Sequence, residues 1–155
     1  MNPKEYREIA VAHFKEGSNC SQAVLLTFAD ECGLERETAL KIASSFGGGM
    51  GRLREVCGAV SGMFMAAGLL YGYAVTDDKQ AKTAHYELIQ RLAEKFREKN
   101  GSIVCRELLG LDHKSDCPIP ENRTKEYYKK RPCAELVGDA AEILAEYINS
   151  RKDII

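Results

Sequence analysis

A chain of 155 residues has the length of one domain and can bury about two-thirds of its unfolded surface around a single core. Its 45% hydrophobic and 29% charged residues exclude disordered, collagen-like and low-complexity architectures. Twenty-two basic against 23 acidic residues, a net charge of -1, give no electrostatic footprint for nucleic acid and no attraction to an anionic membrane.

Proline occurs only at Pro3, Pro118, Pro120 and Pro132, and no stretch alternates with the period of a half-buried strand. The pattern predicts an all-α fold, a compact helical bundle forming one domain over residues 1–155, with sheet content near zero. A first helix places Tyr6, Ile9, Ala10, His13 and Phe14 on one face and stops at Gly17. Ser18 and Asn19 offer caps for a second, with Ala23, Val24, Phe28 and Ala29 inward and an end at Cys32-Gly33. A third, from about Glu35 to Ser45, turns Ala39, Leu40, Ile42, Ala43 and Phe46 toward the core.

Beyond the run Gly47, Gly48, Gly49 and Gly51, the segment Val56 to Val75 carries no charge over a length that could cross a bilayer. Its glycines and alanines thin its hydrophobicity and the other helices are amphipathic, which favours a buried, glycine-rich central helix. Gly58 and Gly62, and again Gly68 and Gly72, would let neighbours approach closely. A long helix from about Asp78 to Lys99 follows, with Ala81, Ala84, His85, Leu88, Leu92 and Phe96 on its stripe and Asn100-Gly101 as its stop. Ser102 is expected to cap a short helix through Cys105. Residues 110–131 are polar and read as a loop or lid with one helical turn near 124–130. Pro132 opens a terminal helix to about Ser150.

The N-terminus has no apolar core or cleavage signal of a secretory leader, which points to the cytoplasm. In a reducing compartment, six cysteines read as metal ligands, redox groups or core residues rather than structural disulfides. Cys20, Cys57, Cys105 and Cys133 all open helices, where free amide N–H groups and the helix dipole lower a thiol's pKa and favour a thiolate or an anionic cluster. Any single cysteine reads more readily as a small buried hydrophobe; four in one setting point to a shared site. Cys32 and Cys117 lack that setting. Of the four, Cys57 is expected to be the most reactive. The absence of C-x-x-C-H excludes covalently attached haem, and the absence of C-x-x-C excludes a thioredoxin-type dithiol.

The glycine run, lacking a P-loop or dinucleotide fingerprint, reads equally as an inter-helix turn or as a lining in which Gly47, Gly48, Gly49, Gly51, Arg52 and Gly58 approach an anion or cluster beside Cys57. His13 and His85 read as hydrogen-bonded core residues, His113 is uninformative, and Glu55 reads as a solvated carboxylate. The basic run Arg123, Lys125, Lys129, Lys130 and Arg131 is either a solvated face or a means of depressing the Cys133 pKa.

Cys57-Gly58-Ala59-Val60-Ser61-Gly62 matches a CGAxxG motif. With Cys20 before it and Cys105 and Cys133 after it, the chain resembles the C_GCAxxG_C_C family, small bacterial and archaeal proteins to which a redox role is attributed. The resemblance spans nearly the whole chain. The family's four cysteines are the four that open helices. Membership implies a redox role, and related domains in multihaem cytochromes imply an iron–sulfur centre; no substrate follows.

The leading reading is a redox protein whose Cys20, Cys57, Cys105 and Cys133 hold an iron–sulfur or related metal centre for electron transfer, without haem and with an unidentified electron-transfer partner. Beside it stand a metal-free thiol/disulfide protein and a zinc-stapled structural module. A homodimer or partner complex is expected, with the 110–131 segment covering the site and Tyr127 and Tyr128 as contact anchors.

Overall fold

The computed structural model describes residues 2–153. Among these the architecture is helical: α1 (Pro3–Lys15), α2 (Cys20–Thr27), α3 (Arg36–Ser44), a tight turn α4 (Gly47–Met50), α5 (Gly58–Tyr71), α6 (Lys79–Asn100), α7 (Cys105–Leu108), α8 (Lys125–Lys130) and α9 (Cys133–Asp153). No helix among the described residues is long and apolar enough to cross a membrane.

Local sequence explains most boundaries. Asn2 and Asn19 each close a capping box, with Glu5 and Gln22 respectively, which satisfies the first free amides of α1 and α2. The Asp78 side chain accepts the Ala81 N–H to start α6, and Gly101, at φ 86°, ends it in the left-handed region. Ser102 does not cap α7. Its hydroxyl accepts the Val104 N–H at 2.9 Å, two residues ahead of the N-cap position that Val104 takes, because the backbone there pairs with another segment.

α2 is the hub, packed by α1, α3, α5 and α9, with Ser21 and every residue from Ala23 to Thr27 buried. α5 crosses it where side chains are smallest. A Cβ on Gly62 would stand 2.6 Å from the Ser21 carbonyl oxygen, and one on Gly58 would stand 2.7 Å from Cys20 Sγ. Gly68 has nothing within 4 Å of such a Cβ, so the close approach expected there does not occur. α5 is shorter than the uncharged segment: it is buried from Gly58 to Met63 and at Ala66 and Ala67, whereas Leu69 is 51% and Val75 62% exposed. Ile42 and Ala84 also face solvent, since α3 buries only Ala39 and Ala43 and the first two turns of α6 project beyond the bundle. Among the described residues one antiparallel bridge is present, joining Val56 and Val104.

α1 and α9 are joined by Arg7, whose guanidinium binds Glu135 at 2.8 Å, Asp139 at 2.6 Å and Glu142 at 2.9 Å, with Lys99 of α6 a further 3.3 Å from Asp139. A Cβ on Gly138 would meet Arg7 Cγ at 2.9 Å, so that glycine makes the room this network occupies.

Candidate functional site

Four of the helix starts point at one place. Cys20 is the first residue of α2, fixed by the Asn19 cap and by the Asn19 amide, which donates to the Ser44 carbonyl at 3.2 Å. Cys57 and Cys105 flank the Val56–Val104 bridge: the Cys57 N–H donates to Ile103 O at 2.8 Å and the Cys105 N–H to Glu55 O at 2.6 Å. These ladder bonds set the two cysteines at the mouths of α5 and α7. Cys133 opens α9, directly after Pro132.

All four thiols line a single cavity of about 380 Å³, together with Asn19, Gly47, Gly48, Gly51, Gly58 and Tyr127. Every one of the six cysteines is a free thiol. Cys32 lies elsewhere, its thiol 3.8 Å from the Ala66 carbonyl, and Cys117 is exposed. Gly49, expected as lining, is instead buried behind the site. At φ 68° it has a left-handed backbone, and a Cβ there would fall 2.6 Å from Cys105 Cβ and 2.8 Å from the Arg54 Cα. The glycine run is therefore a packing device as well as a wall. Met50, Arg52 and Arg54 beside it also stand at positive φ, a costly conformation for residues with a Cβ.

Cys57, Cys105 and Cys133 are not activated in the way their helix-start positions predict. Burial pushes the Cys57 thiol well above its ordinary value and the nearby Cys20 adds to this, while the Val60 and Ala59 N–H groups of the first turn of α5 pull the other way. The helix-start effect thus has the expected sign, and desolvation outweighs it. Cys105 is also raised by burial, against the opposing effect of the Arg54 guanidinium 3.7 Å away. Cys133 is pushed up to about 12, first by burial and then by Cys20 and Cys105; the Tyr127 hydroxyl, hydrogen-bonded to it, opposes the rise. Cys57 is accordingly no exposed thiolate.

The walls are cationic. Arg52, Arg54, Arg123 and Arg131 face the cavity, and Glu121 is the one acidic residue lining it among those described. Segment 111–124 is strapped across this surface. Arg52 Nε donates to the Cys117 carbonyl at 2.7 Å, Arg54 Nε to Asp116 at 2.7 Å, and Arg131 to Glu121 at 2.7 Å. Arg123 lies over the Phe14 ring at 4.0 Å and donates to the Phe14 and Ser18 carbonyls, capping the C-terminus of α1. Tyr127 faces the cavity and Tyr128 packs edge-on against Phe14, so both expected contact anchors are partly buried within the chain. Among the described residues, no three His, Cys, Asp or Glu side chains are gathered closely enough to hold one metal ion.

A model of the family described as "Putative redox-active protein (C_GCAxxG_C_C)" matches residues 18–147. The chain belongs to that family. No curated protein and no solved structure matches it. The match takes in all four cavity cysteines of this family member and the whole strap.

Sequence reading missed Arg54, Asp116 and Glu121. Arg54 is 4% exposed and uses Nε on Asp116, Nη1 on Cys105 and Nη2 toward Glu121. The signal available was its place between a glycine run and a helix-opening cysteine. His113 is not idle: its ring bridges Asp112 at 3.0 Å and Asp116 at 2.8 Å. His85 is not a hydrogen-bonded core residue; its Nδ1 is buried without a partner. His13 is partly buried, 3.9 Å from Glu16. Glu55 pairs with Arg106 at 3.1 Å. In the basic run, only Arg123 and Arg131 reach the cavity.

Proposed function

We propose that this chain is a redox protein in which Cys20, Cys57, Cys105 and Cys133 hold an iron–sulfur or related metal centre that exchanges electrons with a partner. The observation that carries this reading is the convergence of four thiols, from four separate helix starts, on one arginine-lined cavity. Four thiols spread around about 380 Å³ suit a polynuclear group better than a single zinc ion, which needs all its sulfurs about 2.3 Å from one point. When bound, such a centre supplies one-electron exchange, and its potential depends on charge, hydrogen bonds to sulfur and solvent exposure.

The chain's own residues govern those three conditions. Arg54, beside Cys105, and Arg131, whose charge acts on Cys105 and Cys133, offset the negative charge of thiolate ligands. The first-turn amides of α5 donate toward Cys57, and Tyr127 hydrogen-bonds Cys133. The 111–124 strap limits water, anchored through Arg52, Arg54, Arg123 and Arg131. Because Cys57, Cys105 and Cys133 are held as neutral thiols, each must release a proton to become a ligand.

A metal-free dithiol mechanism requires a thiolate nucleophile near neutral pH, and the raised pKa values of those three thiols oppose it. Six single Cys→Ser variants, prepared anaerobically and followed by visible absorbance, test the assignment. Loss of the chromophore in the Cys20, Cys57, Cys105 and Cys133 variants, with retention in the Cys32 and Cys117 variants, is the expected result. A colourless parent protein, or a chromophore indifferent to these four positions, would overturn it.

A further inference from the structure

The cavity has a second recognition element, built on arginines of which Arg54 also touches Cys105. Arg52 from the glycine turn, Arg54 two residues on, and Arg131 from the end of α8 converge on one carboxylate oxygen, Glu121 Oε1, at 3.8, 3.8 and 2.7 Å respectively. All three side chains are largely enclosed, at 17%, 5% and 16% exposure. Only Arg131 is within hydrogen-bonding distance. Arg52 has Nε committed to the Cys117 carbonyl, and Arg54 has Nε on Asp116 and Nη1 near Cys105. Among the described residues the Nη2 atoms of Arg52 and Arg54 make no hydrogen bond, and both face the same oxygen.

Charge and shape both leave this cluster incompletely satisfied. Three guanidiniums face two carboxylates, Glu121 and Asp116, and Arg123 adds a further positive charge to the cavity wall. A planar carboxylate engages one guanidinium edge well, whereas an anion with oxygens in three directions can accept from several at once. Glu121 lies on the strap rather than on a helix, and its side chain is 38% exposed, so it can leave without disturbing the core.

We propose that Arg52, Arg54 and Arg131 form a receptor for a small tetrahedral oxyanion of the sulfate or phosphate type, and that Glu121 occupies it as a tethered internal competitor. Arg54 reaches Cys105 through Nη1 and the Glu121 oxygen through Nη2, so ligand and thiols share one cavity. The inference rests on the arginines and holds whatever the four thiols bind.

Isothermal titration of inorganic sulfate into the full chain, at ionic strength held constant with sodium chloride, tests it. A tethered carboxylate competes at an effective concentration in the millimolar range. Removing it in Glu121→Gln or Glu121→Ala also removes a negative charge within 4 Å of all three guanidiniums and is expected to tighten sulfate binding by about tenfold or more. Adding Arg52→Gln or Arg131→Gln to Glu121→Gln should abolish the gain, with folding checked by circular dichroism, and acetate should bind more weakly than sulfate. The metal-free chain should bind sulfate, and Cys32→Ser, which lies outside the cavity, should leave that binding unchanged, which separates this site from the metal-centre reading. Equal sulfate affinity with and without the Glu121 carboxylate, or binding that survives loss of both Arg52 and Arg131, would overturn the proposal.

Discussion

Two glycines six residues apart on α5 are expected to respond in opposite directions to the same added methyl group. In a helix interior, Gly→Ala stabilises by roughly 0.5–1 kcal/mol through backbone entropy. At Gly68 nothing lies within 4 Å of the new Cβ, so the full gain should appear, raising Tm by about 1–4 °C for a domain of this size. At Gly62 the Cβ would meet the Ser21 carbonyl oxygen at 2.6 Å and Val24 Cβ at 3.1 Å. Ordinary contact begins near 3.4 Å, so α2 and α5 must separate by about 0.8 Å. The obstacle is backbone on the most enclosed helix and cannot rotate away, which puts the strain toward the upper end of the roughly 1–3 kcal/mol cost of overpacking. The net cost is about 2 kcal/mol, a fall in Tm of about 4–8 °C. Thermal denaturation of reduced Gly62→Ala and Gly68→Ala, followed by circular dichroism, measures both. If Gly62→Ala is as stable as Gly68→Ala, the close α2–α5 crossing that positions Cys20 and Cys57 is wrong.

Alkylation mapped by mass should label exposed Cys117 first and buried Cys57 last, and Cys133 should ionise only as pH approaches about 12. Raised thiol pKa values also stabilise the metal-free fold below the unfolded value near 8.5. That contribution should be lost as pH rises from about 9 toward 12, visible as a falling Tm; a Tm that rises over this range would contradict the burial argument. Arg7→Met leaves Asp139 with Lys99 as its remaining cation, and chemical denaturation should show a loss of about 2–4 kcal/mol. By NMR titration His113 should show a pKa above 6.5, raised by hydrogen bonds to Asp112 and Asp116. His13 should titrate below 6.5 because burial disfavours its charged form; the reverse order would contradict the loop geometry.

The helices were legible because their signals are local. Asn19 with Gln22, Asp78 with Ala81 and Gly101 act within one turn of each boundary, and the periodic apolar faces of α1 and α9 lead directly to the core. The four cysteines were legible for the same reason: each occupies a helix start, and that topology gathers them. What escaped depends on the energy of the assembled fold. Whether a helix-start thiol is activated depends on how deeply its neighbours bury it, and Cys57 is enclosed by segments far away in sequence. The extent of α5 was misjudged because an uncharged segment carries no mark of where the bundle ends, and Leu69 and Val75 emerge beyond it. The Val56–Val104 bridge joins residues 48 positions apart with no strand pattern in either, and the arginine cluster around Glu121 draws on the glycine turn, the strap and α8. Arg54 stood in plain view between glycines and a cysteine, but only its left-handed backbone and its buried contacts give it a role.

The most direct measurement of the central claim is the iron and acid-labile sulfide content of the chain purified and reconstituted without oxygen, compared with the Cys57→Ser variant. Both elements are expected together in the parent, bound with proton release and falling in occupancy as pH is lowered, and neither in the variant. A parent that takes up no iron and sulfide while all four cavity thiols remain reduced, as counted after denaturation, would contradict the claim.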